Sequence, residues 1–197
     1  LPDGSFDFVD KAANRFHFAG PDASGERARR LLYFEEPHGD RLVYRYDRQG
    51  RLIEVIESQV VTPAVRLVAR TLRLSWIRVG GFDRVRSISA PGLGLQVEYD
   101  YDDWGNLLSA AKQDTDLPGL AVDRMAYSSD LGADRHRLLS FSPATGSRIE
   151  YKYSGNGQVQ EIAERPAKGG LVSTTFKFEK LPSPAIPFRV TTRTGNL

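Results

Sequence analysis

The chain has 197 residues, of which 27 are Lys or Arg and 25 are Asp or Glu, giving a net charge of +2. This balance argues against DNA or an anionic membrane as an electrostatic partner. The absence of cysteine excludes disulfide bonds and thiolate metal sites. No apolar run reaches the roughly 18 residues of a membrane span, so we expect no membrane insertion. The chain begins Leu1-Pro2-Asp3-Gly4 without a signal-like segment, and we expect it to be part of a longer protein.

An aromatic residue recurs at intervals of 25 to 30 residues along the whole chain. Its positions are Phe18, Tyr46, Trp76, Tyr101, Tyr127, Tyr153 and Phe178. Each is expected to end a first strand, because apolar and polar residues alternate before it with the period of two typical of half-buried strands. Six returning strands are predicted to follow, and they begin at Arg51, Arg84, Asn106, Arg137, Gln158 and Arg189. The pattern predicts a single all-β segment, residues 1–197, of about seven β-hairpins with a period near 26 residues.

One stretch, residues 62–77, is open to two interpretations. Its first half has apolar residues at Val65, Leu67 and Val68, a spacing that also suits a short helix. From Leu72 onward apolar and polar residues alternate through Trp76, and this part is predicted to be a strand.

The three strongest copies share an aromatic-x-aromatic strand end, a turn closed by glycine, and an apolar residue that begins the returning strand. These positions are Tyr44, Tyr46, Asp47, Gly50, Leu52, Tyr99, Tyr101, Asp102, Gly105, Leu107, Tyr151, Tyr153, Ser154, Gly157 and Val159. Asp or Ser first and Gly fourth is the preference of a type I turn. A left-handed glycine after such a turn closes a hairpin with a G1 bulge. We therefore predict structural roles: the Asp shapes the turn and the tyrosines supply buried area to the sheet.

Sequence patterns for a catalytic or metal site are weaker than the repeat. Glu98, Asp100 and Asp102 alternate along one strand, which is compatible with a carboxylate pair of the glycosidase type or a calcium site. A solvated strand face is the preferred interpretation, because Tyr99 and Tyr101 need the other face. The three histidines share no metal-ligand spacing; they are His17, His38 and His136. No catalytic residue, cofactor or metal is predicted.

A basic stretch is the main argument for a nucleic-acid partner. Arg66, Arg70, Arg73 and Arg78 lie where no acidic residue occurs between Glu57 and Asp83. The acidic residues at 98–103 offset this charge nearby, and no nucleic-acid partner is expected.

The motif aromatic-x-Tyr-Asp-x-x-Gly-Arg-Leu resembles the YD repeat of the Rhs family, which is shared with the C components of bacterial Tc toxins and with teneurins. The copy at Tyr46-Asp47 fits in full through Gly50, Arg51 and Leu52. The copy at Tyr101-Asp102 has Asn106 in place of Arg, followed by Leu107. The copy at Tyr153 departs further, with Ser154, Gln158 and Val159 in place of Asp, Arg and Leu.

The resemblance implies a strip of antiparallel sheet that spirals as one segment of a hollow β-shell. In that family the shell encloses a toxic C-terminal domain until delivery. It further implies a non-catalytic role, a secreted or cell-surface location, and three partners: the rest of the shell, the enclosed toxin domain and secretion-apparatus proteins. The alternative is a carbohydrate-binding or adhesive surface, as in teneurin-like proteins.

The same family carries a self-cleavage site in a D-P-x-G-L context. The nearest string here is Asp116-Leu117-Pro118-Gly119-Leu120, in which the proline is displaced. A Pro-Gly loop between hairpins is the preferred interpretation, and no protease activity is expected.

Overall fold

A computed structural model describes residues 3–21, 29–62, 65–115, 119–129, 136–180 and 188–196. In this part of the chain the structure is built from strands, with one 3-10 turn at Pro91–Leu93. The strands are β1 (Phe6–Val9), β2 (Arg15–Phe18), β3 (Leu31–Glu35), β4 (Arg41–Tyr46), β5 (Leu52–Thr62), β6 (Val65–Val79), β7 (Phe82–Ala90), β8 (Leu95–Tyr101), β9 (Leu107–Asp114), β10 (Leu120–Tyr127), β11 (Leu138–Ser142), β12 (Arg148–Tyr153), β13 (Val159–Arg165), β14 (Val172–Lys180) and β15 (Phe188–Asn196). Among the residues described, no helix is long and apolar enough to cross a membrane.

The strands follow one another in the sheet in the same order as in the sequence, from β1 to β15. The ladders are antiparallel, as between β4 and β5 and between β12 and β13. In both pairs the register shifts by one residue at the tyrosine that ends the first strand, Tyr46 or Tyr153. This shift is the bulge expected beside a type I turn that closes a hairpin. The predicted all-β fold of successive antiparallel hairpins is confirmed.

By its internal contacts the chain divides into two compact units. The first contains residues 1–78, 83–98 and 113–119, and the second contains residues 79–82, 99–112 and 120–197. Each unit is itself a series of hairpins that includes at least one of the three strongest copies of the motif.

Few side chains are deeply buried in the described residues. The buried apolar residues are Ala90 and Ala163, and the buried polar ones are Ser5, Ser58 and Ser140. Side chains instead pack against neighbours across the strands, as where the rings of Phe6 and Phe18 stack with centroids 5.0 Å apart. Cross-strand pairs are the usual unit of stabilisation in a sheet. The fold therefore rests on ladders and cross-strand contacts rather than on a thick core.

The described part of the segment at 62–77 is strand, because Thr62 ends β5 and residues 65–77 lie in β6, so the helical interpretation of its first half is wrong. From Val65 onward β6 pairs with β5, with Val55 opposite Leu72 and Ser58 opposite Val68. The long ladder gives this backbone hydrogen-bond partners that an isolated helical turn would lack. Two of the recurrent aromatics do not end a strand as predicted. The strand β6 continues past Trp76 to Val79, and β14 continues past residue 178 to Lys180.

Candidate functional site

The YD motif forms tight turns that begin at the residue after the tyrosine. In the first turn the Gly50 amide donates to the Asp47 carbonyl at 3.1 Å, and the Asp47 amide donates to the Arg51 carbonyl at 2.9 Å. The second turn has the same two bonds, from Gly105 to Asp102 at 2.9 Å and from Asp102 to Asn106 at 3.0 Å. This is a type I turn closed by a G1 bulge.

The third turn repeats this backbone geometry with serine in place of aspartate. Gly157 donates to the Ser154 carbonyl at 2.9 Å, and Ser154 donates to the Gln158 carbonyl at 2.8 Å. The glycines have φ of 83° at Gly50, 85° at Gly105 and 86° at Gly157. Glycine is favoured there because a Cβ atom is strained in the left-handed region.

The two aspartates add bonds that the serine does not reproduce. The Asp47 carboxylate accepts from the Arg51 amide at 2.9 Å and from the Arg51 Nε at 2.7 Å. The Asp102 carboxylate accepts from the Asn106 amide at 2.8 Å and from its Nδ2 at 2.7 Å. Asn106 therefore takes over the bridging role of the motif arginine. Ser154 instead donates its hydroxyl to the Gln158 carbonyl at 3.2 Å.

These bonds change the acidity of the turn aspartates. Burial raises the pKa of Asp47, but the bonds from Arg51 outweigh it and the pKa lies below the ordinary value of 3.8. For Asp102 burial is likewise outweighed by the bonds from Asn106 and Trp104 and by the nearby His136, so its pKa is also lowered. Both carboxylates thus hold their charge more firmly in the folded protein than in the unfolded chain.

This has a consequence for stability in acid. A carboxyl whose folded pKa is lowered contributes stability above its ordinary pKa, and loses it as the pH falls through the lowered value. We expect the urea midpoint to fall as the pH drops below 3.8, and the double variant Asp47→Ser, Asp102→Ser to show a shallower fall. Asp100→Ser, which removes an exposed carboxylate from β8, is the control. A double variant with an unchanged pH slope would contradict the assignment.

The tyrosine before the turn reaches the preceding hairpin. The Tyr46 hydroxyl donates to the Leu31 carbonyl, where β3 begins, at 2.9 Å. The Arg30 guanidinium lies over the Tyr46 ring, 5.5 Å from its centroid. The same guanidinium occupies the space beside Gly50, where a Cβ atom would come within 1.9 Å of the Arg30 Nη2. Glycine at position 50 therefore suits both the left-handed backbone and the close approach of the Arg30 guanidinium.

A second copy of this arrangement lies in the other unit. The Tyr153 hydroxyl donates to the Leu138 carbonyl at 2.8 Å, and the Arg137 guanidinium lies 5.3 Å from the Tyr153 ring centroid. A Cβ atom on Gly157 would lie 2.7 Å from the Arg137 Nη2. We call each set of four residues an interlock; the sets are Arg30, Leu31, Tyr46 and Gly50, and Arg137, Leu138, Tyr153 and Gly157.

A related contact shows what the Arg-Leu end of the motif does. The indole Nε1 of Trp76 donates to the carbonyl of Leu52 at 2.8 Å. Leu52 begins β5, as Leu31 begins β3, and in both cases the backbone carbonyl accepts a hydrogen bond from an aromatic side chain of the next strand. The motif predicted only that Leu52 begins the returning strand, and the role of its carbonyl as an acceptor was not predicted.

The remaining motif positions lie on half-buried parts of the strands. Tyr44, Tyr99, Tyr101 and Tyr151 lie in β4, β8 and β12, and Leu52, Leu107 and Val159 begin β5, β9 and β13. Burial of the ring raises the pKa of Tyr46, with Tyr44 adding to the shift and Arg30 opposing it. Tyr153 shows the same pattern, with burial first, Tyr151 adding to it and Arg137 opposing it. The raised pKa values of Tyr46 and Tyr153 keep their hydroxyls protonated, as donation to the Leu31 and Leu138 carbonyls requires.

The structure does not assemble the carboxylates of β8 into one site. Glu98 accepts from the Gln96 Nε2 at 2.8 Å, Asp100 is exposed, and Asp102 is taken up by its turn. This arrangement leaves Glu98 and Asp100 on the solvated face, as preferred from the sequence.

The basic stretch is compensated from the neighbouring strands. Arg70 binds Glu57 at 2.5 Å, Arg73 lies 3.3 Å from Glu54, and Arg78 lies 3.8 Å from Asp83. The side chain of Arg66 lies outside the described part. Arg70, Arg73 and Arg78 are therefore each compensated by a carboxylate, unlike an uncompensated stripe of the kind that tracks a phosphate backbone.

The histidines have separate surroundings. The His17 Nδ1 lies 2.7 Å from the Asp7 carboxylate, and the His136 Nδ1 lies 2.8 Å from the Asn106 Oδ1. Within the described ranges, no three metal-ligating side chains come together. Most of the string at 116–120 falls outside those ranges, with residues 116–118 undescribed and Leu120 beginning β10.

With this geometry in view, the chain can be compared with solved structures. It is similar in fold to a chain in the crystal structure of TcdB2-TccC3-Cdc42. The TM-score is 0.59 at 14% identity, and the match covers 95% of this chain and 10% of the other. Chains in the structures of TcdB2-TccC3-TEV and of TcdB2-TccC3 without its hypervariable C-terminal region align at a TM-score of 0.38 and 12% identity, covering 96% of this chain and 12% of each.

The comparison with TcdB2-TccC3-Cdc42 supports the fold that the YD-repeat resemblance implies. This chain spans about a tenth of the length of the chain that it matches. No protein-family model matches the sequence, and no curated protein matches it. The likeness is therefore one of architecture, carried over nearly the whole of this chain.

Sequence reasoning missed a longer internal repeat. Residues 29–58 and 136–165 align without a gap, and the two arginines of the interlocks fall at equivalent positions. The residues just before those arginines, Arg29 and His136, both have positive φ, at 67° and 74°. The cross-strand ion pair of Arg45 with Glu54, at 3.0 Å, recurs as Lys152 with Glu161 at 2.8 Å. An ungapped comparison of the chain with itself would have found this repeat.

Another turn of the same kind was also missed. Asp10 donates its amide to the Asn14 carbonyl at 3.0 Å, and its carboxylate accepts from the Asn14 Nδ2 at 2.9 Å. Ala13 takes the position of the glycine, with φ of 62°. The Asp and Asn match the turn of Asp102 and Asn106, but alanine in place of glycine hid the pattern.

Proposed function

We propose that this chain is a structural segment of an Rhs-type β-shell that encloses a C-terminal toxin domain and helps to deliver it. In this proposal the segment is not an enzyme and needs no cofactor. The observation that carries it is the likeness of fold, over 95% of the chain, to a chain in the structure of TcdB2-TccC3-Cdc42. The YD-repeat resemblance supplies the function, because shells of this family hold a toxin.

The interlocks support a structural role for the motif. Each joins the turn of one hairpin to the first residue of the strand before it through a hydroxyl bond and a cation–π contact. Such contacts fix how hairpins stack, which is what a repeat needs in order to extend a sheet. They engage Tyr46, Gly50, Tyr153 and Gly157 in contacts within the sheet, which supports a structural role for these four residues.

We infer the partners of this chain from the edge strands of the sheet. Among the strands of the described residues, β1 neighbours β2 alone and β15 neighbours β14 alone. An edge strand presents backbone groups that can pair with a further strand. We propose that the rest of the shell continues the sheet at these edges, that the toxin domain is the enclosed partner, and that secretion-apparatus proteins deliver the assembly outside the cell.

The test uses the full-length product of the gene. If the segment belongs to a closed shell, the C-terminal part of the product should resist a protease while the shell is intact. Gly50→Val, which should disrupt a turn, is expected to accelerate cleavage there, whereas Gly170→Ala, at a glycine outside the left-handed region with no atom within 4 Å of the added Cβ, should not. Cleavage of the C-terminal part of the unaltered protein as fast as in the Gly50→Val variant would contradict enclosure.

An adhesive role is the second candidate, because large aromatic side chains are exposed. Trp104 is 54% exposed and Phe82 is 63% exposed. Aromatic rings suit a sugar-binding surface, since their apolar faces can stack on a sugar ring. A glycan array on which the chain binds, and on which Trp104→Ala abolishes binding, would favour this role over the shell.

A further inference from the structure

The third turn of the motif departs from the other two at positions that carry chemistry. Asn156 precedes Gly157, and no other asparagine of the chain is followed by glycine. Ser154 begins this turn, where the copies at Asp47 and Asp102 have aspartate. The side chain of Asn156 is exposed, so water reaches it. A purely structural role of the turn does not explain this combination of serine, asparagine and glycine.

Hydrogen bonds hold the carboxamide of Asn156 in one orientation. Its Oδ1 accepts from the Ser154 hydroxyl and, at 3.4 Å, from the Gln158 amide. Its Nδ2 donates to the Gln158 Oε1 at 2.9 Å. The Ser154 hydroxyl shares its proton between this Oδ1 and the Gln158 carbonyl. Two donors therefore point at the carboxamide oxygen, and one acceptor holds the carboxamide nitrogen.

This arrangement favours nucleophilic attack on the carboxamide carbon. Negative charge develops on an amide oxygen when a nucleophile adds to the carbon, and donors aimed at that oxygen lower the barrier. The backbone nitrogen of the next residue can reach the carbon by closing a succinimide ring. Gly157 has no side chain that would hinder this approach. An ionised aspartate at position 154 could not supply the donor, because a carboxylate only accepts hydrogen bonds.

We propose that Asn156 is a site of spontaneous deamidation, assisted by the Ser154 hydroxyl and the Gln158 amide. The Gly157 nitrogen gives its proton to a solvent base, releases its hydrogen bond to the Ser154 carbonyl, and forms a bond to the Asn156 Cγ. The Cγ–Nδ2 bond breaks, and Nδ2 takes a proton from water and leaves as ammonia. Water then opens the succinimide. Opening at the side-chain carbonyl gives aspartate, and opening at the backbone carbonyl gives isoaspartate.

The isoaspartate product is expected to open the second interlock. It adds a methylene to the backbone of the turn. The Gly157 amide then cannot keep both its bond to the Ser154 carbonyl, at 2.9 Å, and its place beside the Arg137 guanidinium. The modification therefore acts on one defined hairpin, between β12 and β13. It follows from the chemistry of the turn itself and does not rest on the proposed function.

The test is incubation of the folded 197-residue chain in mildly alkaline buffer, followed by mass spectrometry of its tryptic peptides. The peptide that contains Asn156 should gain the mass difference between OH and NH2, and should be labelled by an enzyme that methylates isoaspartate. The peptides that contain Asn14 and Asn106 should stay unchanged. Asn156→Gln is the matched control, because Gln49 holds this position in the first turn. This variant should keep the fold by circular dichroism and lose the modification, since glutamine closes the corresponding ring more slowly.

Ser154→Ala separates assistance by the hydroxyl from simple exposure of the turn. The variant is expected to react about fivefold more slowly, which is the rate equivalent of one ordinary hydrogen bond. A reaction limited only by opening of the turn would instead be faster in this variant, because the bond from the hydroxyl to the Gln158 carbonyl is also lost.

Three results would overturn the proposal. The first is an unchanged Asn156 in the folded chain under conditions in which the urea-unfolded chain is modified there. The second is equal modification of Asn106, which is followed by leucine. The third is a rate in Ser154→Ala that equals or exceeds the rate in the unaltered chain. None of these measurements depends on protease protection of the full-length product, so the inference and the proposed function fail separately.

Discussion

Gly80→Ala is expected to destabilise the protein by about 1–3 kcal/mol more than Gly81→Ala. The two glycines are adjacent and both have positive φ, 60° at Gly80 and 81° at Gly81. A Cβ atom on Gly80 would lie 2.6 Å from the carbonyl oxygen of Trp104 and 2.7 Å from its carbonyl carbon. At Gly81 nothing lies within 4 Å. Backbone cannot move aside as a side chain can, so the first substitution must shift the turn of Trp104.

The comparison isolates steric conflict from backbone strain. Alanine at either position bears the cost of a left-handed residue, about 1–2 kcal/mol, and only Gly80→Ala adds the clash. Urea unfolding of the two variants, followed by circular dichroism, measures the difference. Equal midpoints would mean that the turn at Trp104 does not lie against Gly80 as described.

Gly50→Val is expected to be the second severe change. Valine is β-branched and is a conformational outlier at φ of 83°, and its Cβ would also displace the Arg30 guanidinium from the Tyr46 ring. We expect a loss of about 2 kcal/mol or more from strain and the broken cation–π contact together. Gly50→Asn should be milder, because asparagine tolerates the left-handed region. Gly105→Val, at φ of 85°, should behave similarly through strain.

A double-mutant cycle separates the two causes at Gly50. Gly50→Ala should cost more in the unaltered protein than in Arg30→Ala, by about 0.5–1 kcal/mol, because only the former has a cation–π contact to lose. Asp47→Ala, which leaves the glycine in place, should cost about 1 kcal/mol through its lost turn bonds. Additive effects of Gly50→Ala and Arg30→Ala would show that the guanidinium does not pack against the turn.

The turns could be predicted from sequence because their determinants are local. Asp47 and Gly50 lie within one turn, and the residue preferences at those positions follow from its dihedral angles. The interlock could not be predicted in this way. Arg30 and Tyr46 are brought together only by the pairing of β3 with β4, whose register is not contained in either strand alone.

The first half of the segment at 62–77 was open to a helical and a strand interpretation for a physical reason. Val65, Leu67 and Val68 have a spacing that fits both periods, and only the ladder with β5 decides between them. The register shift between Glu57 and Ser58 leaves Ala69 as an extra residue in β6, and the residues just before it, Leu67 and Val68, are both exposed. Such local irregularity breaks the strict alternation on which the sequence argument depended.

The order of the strands has a consequence for how the protein forms. Since each strand neighbours those next to it in the sequence, every ladder closes a short loop and none waits for a distant segment. Chains with mostly local contacts lose little entropy before each contact forms and fold rapidly for their size. A chain of this kind can form its ladders one hairpin at a time, from the N-terminal end onward, as it leaves the ribosome.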